Sequence, residues 1–130
     1  MKILIIGAGG AIGSCLSAWL TEAKADVYLY DKPEVLEVLK KDGITHYKEN
    51  EEKKHVAVKT IDSIKGFQPD VIAMVVKNYS LDAVSKMIVD NIKGDPVVIG
   101  FQNGVENQKI LPKYFKKPAY CIIEIGRAHV

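Results

Sequence analysis

The sequence predicts an α/β domain built on a doubly wound parallel sheet, with a small hairpin insertion. Three observations support this. Apolar runs of strand length recur along the chain, segments with helical apolar spacing separate them, and the first run ends directly in the glycine-rich stretch GAGGAIGS at 7–14. Strands that alternate with helices pair in parallel and wind right-handed, which places helices on the faces of the sheet.

The elements follow in order. ILII at 3–6 is a strand, and after the glycines Ile12, Leu16, Trp19, Leu20 and Ala23 draw one apolar stripe along a helix. Ile12, Cys15 and Trp19 are thereby expected in the core. VYLY at 27–30 is the second strand, closed by Asp31. Residues 43–59 break the rhythm: ITHY and HVAVK flank KENEEKK, a charge run of the kind that forms a solvated loop tip, so a surface hairpin without chemistry is expected. VIAMVV at 71–76 is the third strand of the main sheet, followed by a helix from about Ser80 with Leu81, Val84, Ile88 and Ile92 on one face. PVVIGF at 96–101 leads to a helix that begins near Val105 and is interrupted at Pro112, and YCII at 120–123 supplies a fifth strand.

Composition narrows the function classes. The chain of 130 residues suits one domain, taken as 1–123, and can bury a real core. Its 18 basic and 16 acidic residues leave a net charge of +2 without a basic stripe, which argues against a nucleic-acid partner. The apolar runs are strand-sized and Lys2 leads straight into a glycine turn, so no membrane span, no membrane partner and no signal peptide are expected, and a cytoplasmic protein is. Cys15 and Cys121 form no C-x-x-C, and His46, His55 and His129 show no ligand spacing with them. Two ordinary core thiols and no metal site are the expectation.

The glycines carry the first chemical signal. A strand ending in a glycine turn that opens a helix offers a pyrophosphate a tight turn, close backbone approach and N–H groups at the positive end of a helix. This is the Rossmann-type arrangement. The spaced G-x-G-x-x-G fails when counted from Gly7, because the last position would be Ile12. Gly7, Gly10 and Gly13 give G-x-x-G-x-x-G, whereas Ala8, Gly10 and Gly13 give the usual spacing with alanine first. Gly7 is therefore expected to make the turn, Gly9 and Gly10 to admit the phosphates beside Ala11 and Ile12, and Gly13 to let helix and strand backbones meet. Asp31 is placed to accept hydrogen bonds from the adenosine ribose hydroxyls.

Sharper information sits at the later strand ends, MVVKNYSLDAV at 74–84 and IGFQNGVENQKIL at 99–111. With the glycine loop, these strings resemble the ketopantoate reductase (2-dehydropantoate 2-reductase) family, which shows V-K-x-Y after one strand and Q-N-G-x-x-N after the next. The resemblance runs from Met1 to about Ile123. It implies that Lys77 and Asn103 line a cleft beside the nicotinamide and the keto acid, Lys77 offering positive charge and Asn103 an orienting amide. Each has a plainer reading by itself: a lysine after a buried strand often only reaches for water, and Asn-Gly is a common turn. Their shared edge with the glycine loop favours function.

The chain also departs from the family pattern. Its glycine loop is one residue longer than the usual GAGAIGS-like form. Where the family usually has an arginine for the 2′-phosphate of NADPH, this chain has Asp31 and Lys32, so the cofactor is NAD(P)H with a weak lean to NADH. The family's catalytic lysine belongs to a second, helical domain that this sequence does not contain, and no catalytic residue is identified here. The resemblance therefore implies the N-terminal half of a reductase of pantothenate biosynthesis, truncated and inactive alone, with a small 2-oxo acid as substrate. Self-association through the surface left uncovered is a further expectation. The tail IGRAHV at 125–130 is what ATC GGA AGA GCA CAC GTC encodes, and that DNA followed by the stop TGA resembles the start of a widely used sequencing adapter; residues 124–130 are expected to be non-native.

Two other functions stay open at this point. G-x-x-G-x-x-G suggests a short-chain nucleotide-sugar epimerase, which would need a Tyr-x-x-x-Lys pair, one that is not expected in this chain. A non-catalytic dinucleotide-binding module would bind cofactor and never turn over.

Overall fold

The computed structural model describes residues 1–47, 53–102 and 105–122. Asn103, KENEE of the KENEEKK run, Ile123 and the tail 124–130, on which expectations fell, lie outside the described residues. Among those residues a parallel sheet forms from β1 (Lys2–Ile6), β2 (Asp26–Tyr30), β5 (Val71–Met74), β6 (Val97–Gly100) and β7 (Pro118–Tyr120), in the order β2-β1-β5-β6-β7. β3 (Ile44–Tyr47) and β4 (Lys53–Val56) make the separate antiparallel hairpin.

This order carries the functional geometry. From β1 the chain moves outward to β2, then returns to lay β5 against the other side of β1 and continues outward to β6 and β7. The winding reverses between β1 and β5, and an open sheet parts there at its carboxyl edge to admit a ligand. Each central strand is buried on both faces and accordingly reads as a continuous apolar run. Ile3, Ile5, Val27 and Leu29 face one core with Ala18, Leu36, Leu39 and the hairpin's Ile44 and Val56. Leu4, Ile6, Ile72, Met74 and Val98 face the other, with Leu81, Ile88 and Leu111. The outer edge of β2 is covered by the chain itself, since Leu29 N–H donates to Lys59 O at 2.9 Å and Ile61 N–H to Leu29 O at 3.0 Å.

Helix α1 (Ala11–Glu22) corrects the expected stripe. Its buried residues are Gly13, Ser17 and Ala18; Leu16 and Leu20 are partly buried, Ile12 only half-buried, and Cys15 and Trp19 are exposed, Trp19 at 63%. The helix approaches the sheet along its small residues, because a Cβ on Gly13 would stand 2.3 Å from Gly7 O. Trp19 and Cys15 lie about 200° from Ser17 and Gly13 around the helix and so point away. Cys121 is half-buried, so neither cysteine is a core thiol.

Helix α2 (Pro33–Asp42) was not expected. Pro33 occupies its first turn, Glu34 lies at the positive end, Lys40 and Lys41 at the negative end, and Gly43 stops it at φ 63°. Helix α3 (Leu81–Asn91) follows a 3-10 turn at Asn78–Ser80, and β5 ends at Met74, two residues earlier than its apolar run. Helix α4 (Glu106–Tyr114) runs through Pro112, which lies in the last turn, where only a short stretch of helix follows the missing N–H. The last strand sits two residues before YCII, pairing Val98 with Pro118 and Gly100 with Tyr120.

Candidate functional site

The glycine loop joins β1 to α1 at the reversal point. Gly7 takes φ 91° and a Cβ there would stand 2.8 Å from Val75 O, so the turn needs glycine for both conformation and room. Its N–H donates to Tyr30 O at 3.0 Å, tying the loop to the end of β2. Gly13 lies over the same turn, with Ala8 Cα 3.0 Å from the position of a Cβ.

Gly9 and Gly10 differ from each other. A Cβ on Gly9 would meet Val35 Cγ1 at 2.2 Å, so this residue is pressed against α2 and its backbone N–H donates to Asp31 Oδ2 at 2.8 Å. A Cβ on Gly10 would meet only Gly7 O, at 3.6 Å. Gly10 also caps α1, and no side chain bonds the first N–H groups of that helix. The amides of Ala11, Ile12 and Gly13 therefore lack intrahelical partners at the positive end of the helix.

Asp31 is held rather than free. Its Oδ2 accepts the Gly9 N–H and its Oδ1 the Lys32 N–H at 2.7 Å. A carboxylate has about four acceptor sites, so two backbone donors orient it and leave capacity for hydroxyls. Lys32 itself is exposed and extended, as a residue before proline should be.

Across the reversal point, Lys77 faces the loop. A cleft of about 270 Å³ is lined by Gly10, Ala11 and Ile12 on one side and by Val76 and Lys77 on the other, with Gln102 also on its wall. Thus the structure brings Gly10, Ala11, Ile12 and Lys77 to one cleft, sets Gly7, Gly9 and Gly13 behind it, and places Asp31 against Gly9.

Two residues of QNGVEN were overlooked in the sequence. Gln102 is buried, and its Nε2 donates to Met74 O at 2.8 Å and to Val76 O at 2.9 Å. Asn107, also buried, points its Nδ2 at Gln102 Oε1 and O at 3.3 and 3.4 Å. Gly100 makes room for the pair, since a Cβ there would stand 2.9 Å from Gln102 Oε1 and 3.0 Å from Asn107 Nδ2. The signal available in the sequence was a glycine closing a buried strand just before two amide residues.

The epimerase alternative also meets the structure. Tyr28 and Lys32 do stand at Tyr-x-x-x-Lys spacing. Tyr28, however, lies in β2 with its ring 5.1 Å from that of Phe67 and Lys59 Nζ 4.2 Å above it, while Lys32 precedes α2. They share no helical face.

Comparison with known proteins decides the family. The model described as Ketopantoate reductase PanE/ApbA matches residues 3–128. The chain belongs to the ketopantoate reductase family. A curated 2-dehydropantoate 2-reductase from Pyrococcus horikoshii is 32% identical over 123 residues, which are 91% of this chain and 38% of that protein. The chain thus spans less than two-fifths of the length of the relative it matches. The fold agrees with a solved PanE/ApbA family ketopantoate reductase from Ralstonia eutropha, at TM-score 0.83 and 22% identity over 97% of this chain and 42% of the other. It is also similar to a D-mandelate dehydrogenase solved with NADH and anilino(oxo)acetate, at TM-score 0.78 and 26% identity, covering 89% of this chain and 38% of that one. The Rossmann-type reading of the sequence is borne out, and the chain is the family's N-terminal domain.

Among the described residues, no helix is long and apolar enough to cross a membrane, and no group of three or more His, Cys, Asp or Glu could hold a metal ion.

Proposed function

We propose that this domain binds the dinucleotide of an NAD(P)H-dependent 2-oxo acid reductase whose substrate is 2-dehydropantoate. The observation that carries the reading is the combination at Gly10: an open backbone, an uncapped helix N-terminus and a cleft shared with Lys77. The residues fit the group. The α1 amides would receive the pyrophosphate, Asp31 the adenosine ribose, and Lys77 with Asn103 the nicotinamide end and the keto-acid carboxylate. Bound cofactor supplies hydride for the keto carbon. The chain's own contribution is to orient, to place the Lys77 charge where a carboxylate or developing alkoxide would lie, and to offer the α1 amides to the phosphates.

Nicotinamide preference follows from charge. Asp31 beside the ribose opposes a 2′-phosphate, and unit charges about 4 Å apart near a surface interact by about 4 kcal/mol before screening. Lys32 offsets part of this, so NADH is favoured modestly. The domain alone binds without turning over, and the exposed Trp19, Tyr79, Val105 and Ile122 favour association of the free domain with other copies. Titrating NADH and NADPH into the purified chain, with ketopantoate reduction assayed in parallel, tests the reading. Saturable binding without turnover is expected; absence of binding, or turnover by this chain, overturns it.

A further inference from the structure

The cleft wall that bears Lys77 has an unusual support. β5 ends at Met74, although the Val75 N–H still donates to Ile6 O of β1 at 2.9 Å, and the chain continues through Val75 and Val76 to Lys77, whose backbone is extended at φ −69° and ψ 154°. Successive carbonyls of an extended segment point to opposite sides. Val75 O lies against Gly7, and Val76 O turns the other way and accepts Gln102 Nε2. The same Nε2 also reaches Met74 O, which already accepts the N–H of Phe101, the residue after β6, at 3.2 Å. Gln102 therefore stands in for β6, whose pairing with β5 ends at Met74.

We infer that Gln102 is the positioning residue for the Lys77 wall: its amide clamps the Met74 and Val76 carbonyls and thereby fixes where Lys77 enters the cleft. Asn107 sets the amide's direction. By donating to Oε1 it assigns that atom as the acceptor and leaves Nε2 to face the two carbonyls, and Gly100 gives the pair its space. One side chain thus links the end of β5, the start of the segment after β6 and helix α4. The consequence for cofactor binding rests on the function proposed above, whereas the clamp itself does not.

The test separates the two. Gln102→Met keeps the length of the side chain and removes both donors; Gln102→Glu keeps an acceptor for Asn107 and regains one donor only when protonated. Amide hydrogen exchange of the 130-residue chain would be compared across these variants and Leu39→Ala, a remote destabilising control in α2. The expected result for Gln102→Met is exchange at residues 75–80 at least tenfold faster than the change seen in β2 and α2, with NADH affinity at least fivefold weaker. Gln102→Glu should show the same local loosening at neutral pH and recover on acidification, and Leu39→Ala should show neither effect. Exchange at 75–80 that rises only in step with the rest of the domain overturns the inference. Should Gln102→Met fail to fold, the pH dependence of Gln102→Glu decides alone. If the wild-type chain binds no dinucleotide, the proposed function fails while the exchange result still decides the clamp.

Discussion

Gly9 and Asp31 are joined by a hydrogen bond from the Gly9 backbone N–H to Asp31 Oδ2 at 2.8 Å, so the glycine loop and the end of β2 act as one unit. The contact explains why Gly9 is glycine: a side chain would strike Val35 and crowd the carboxylate. With the Lys32 N–H on Oδ1, it also fixes the direction of the Asp31 carboxylate.

Replacing Asp31 with asparagine should therefore weaken NADH and relax the choice between cofactors. We expect NADPH to gain on NADH by about tenfold, which corresponds to about 1.4 kcal/mol of the charge opposition. Competitive titration of the two cofactors measures it; an unchanged ratio would place the 2′-phosphate away from Asp31.

The glycines should separate folding from binding. Gly13→Val forces a branched side chain where even a Cβ stands 2.3 Å from Gly7 O, and it should destabilise the domain by roughly 3 kcal/mol or more and abolish binding. Gly10→Ala meets only Gly7 O at 3.6 Å, so its melting temperature should stay near wild type while dinucleotide affinity drops. Thermal denaturation alongside titration distinguishes them, and equal melting temperatures for the two variants would contradict the assignment.

Much of this arrangement was legible locally. ILII, VYLY and VIAMVV announce strands because strands buried on both faces must be apolar throughout, and the glycine turn needs no partner to be recognised. Helix α2 was hidden because PEVLEVLKKD buries only Leu36 and Leu39, half-buries Val35 and is otherwise exposed; its readable signals were Pro33 and Gly43 at its ends. Trp19 misled because periodicity counts hydrophobicity, whereas close approach to the sheet selects small residues. β7 pairs along β6 as the last strand of the sheet, so its position depends on register more than on the apolar run that follows. Gln102 was invisible for a different reason: its partners Met74 and Val76 are distant in sequence, and no local pattern reports them.

Asp26 and Lys59 give a pH-dependent contact away from the site. Their ion pair at 2.6 Å holds the Asp26 carboxyl below the usual range, chiefly through the hydrogen bond from Lys59, and raises the Lys59 ammonium through the same bond. A depressed carboxyl contributes stability above its unfolded value and loses it as pH falls through the folded one; a raised ammonium contributes below its unfolded value and loses it as pH rises through the folded one. The pair is thus fully effective between roughly pH 5 and pH 9, and its exposure keeps the effect small and salt-sensitive. In Lys59→Met the Asp26 carboxyl resonance should titrate at a higher pH than in wild type. An unmoved midpoint would show that the pair does not persist in solution.

Trp19 is the chain's single tryptophan and stands outward on α1. Its fluorescence in dilute solution should be that of a water-exposed indole, freely quenched by iodide. Quenching should fall as concentration rises if the free domain associates through this face. Emission typical of a buried indole at every concentration would contradict its placement.

The most direct measurement is calorimetric titration of NADH into the wild-type chain and into Gly10→Val, with folding of both checked by circular dichroism. The cradle at Gly10 requires saturable binding of one dinucleotide per wild-type chain and none by the folded variant. Absence of binding by the wild-type chain, or equal binding by both, would contradict it.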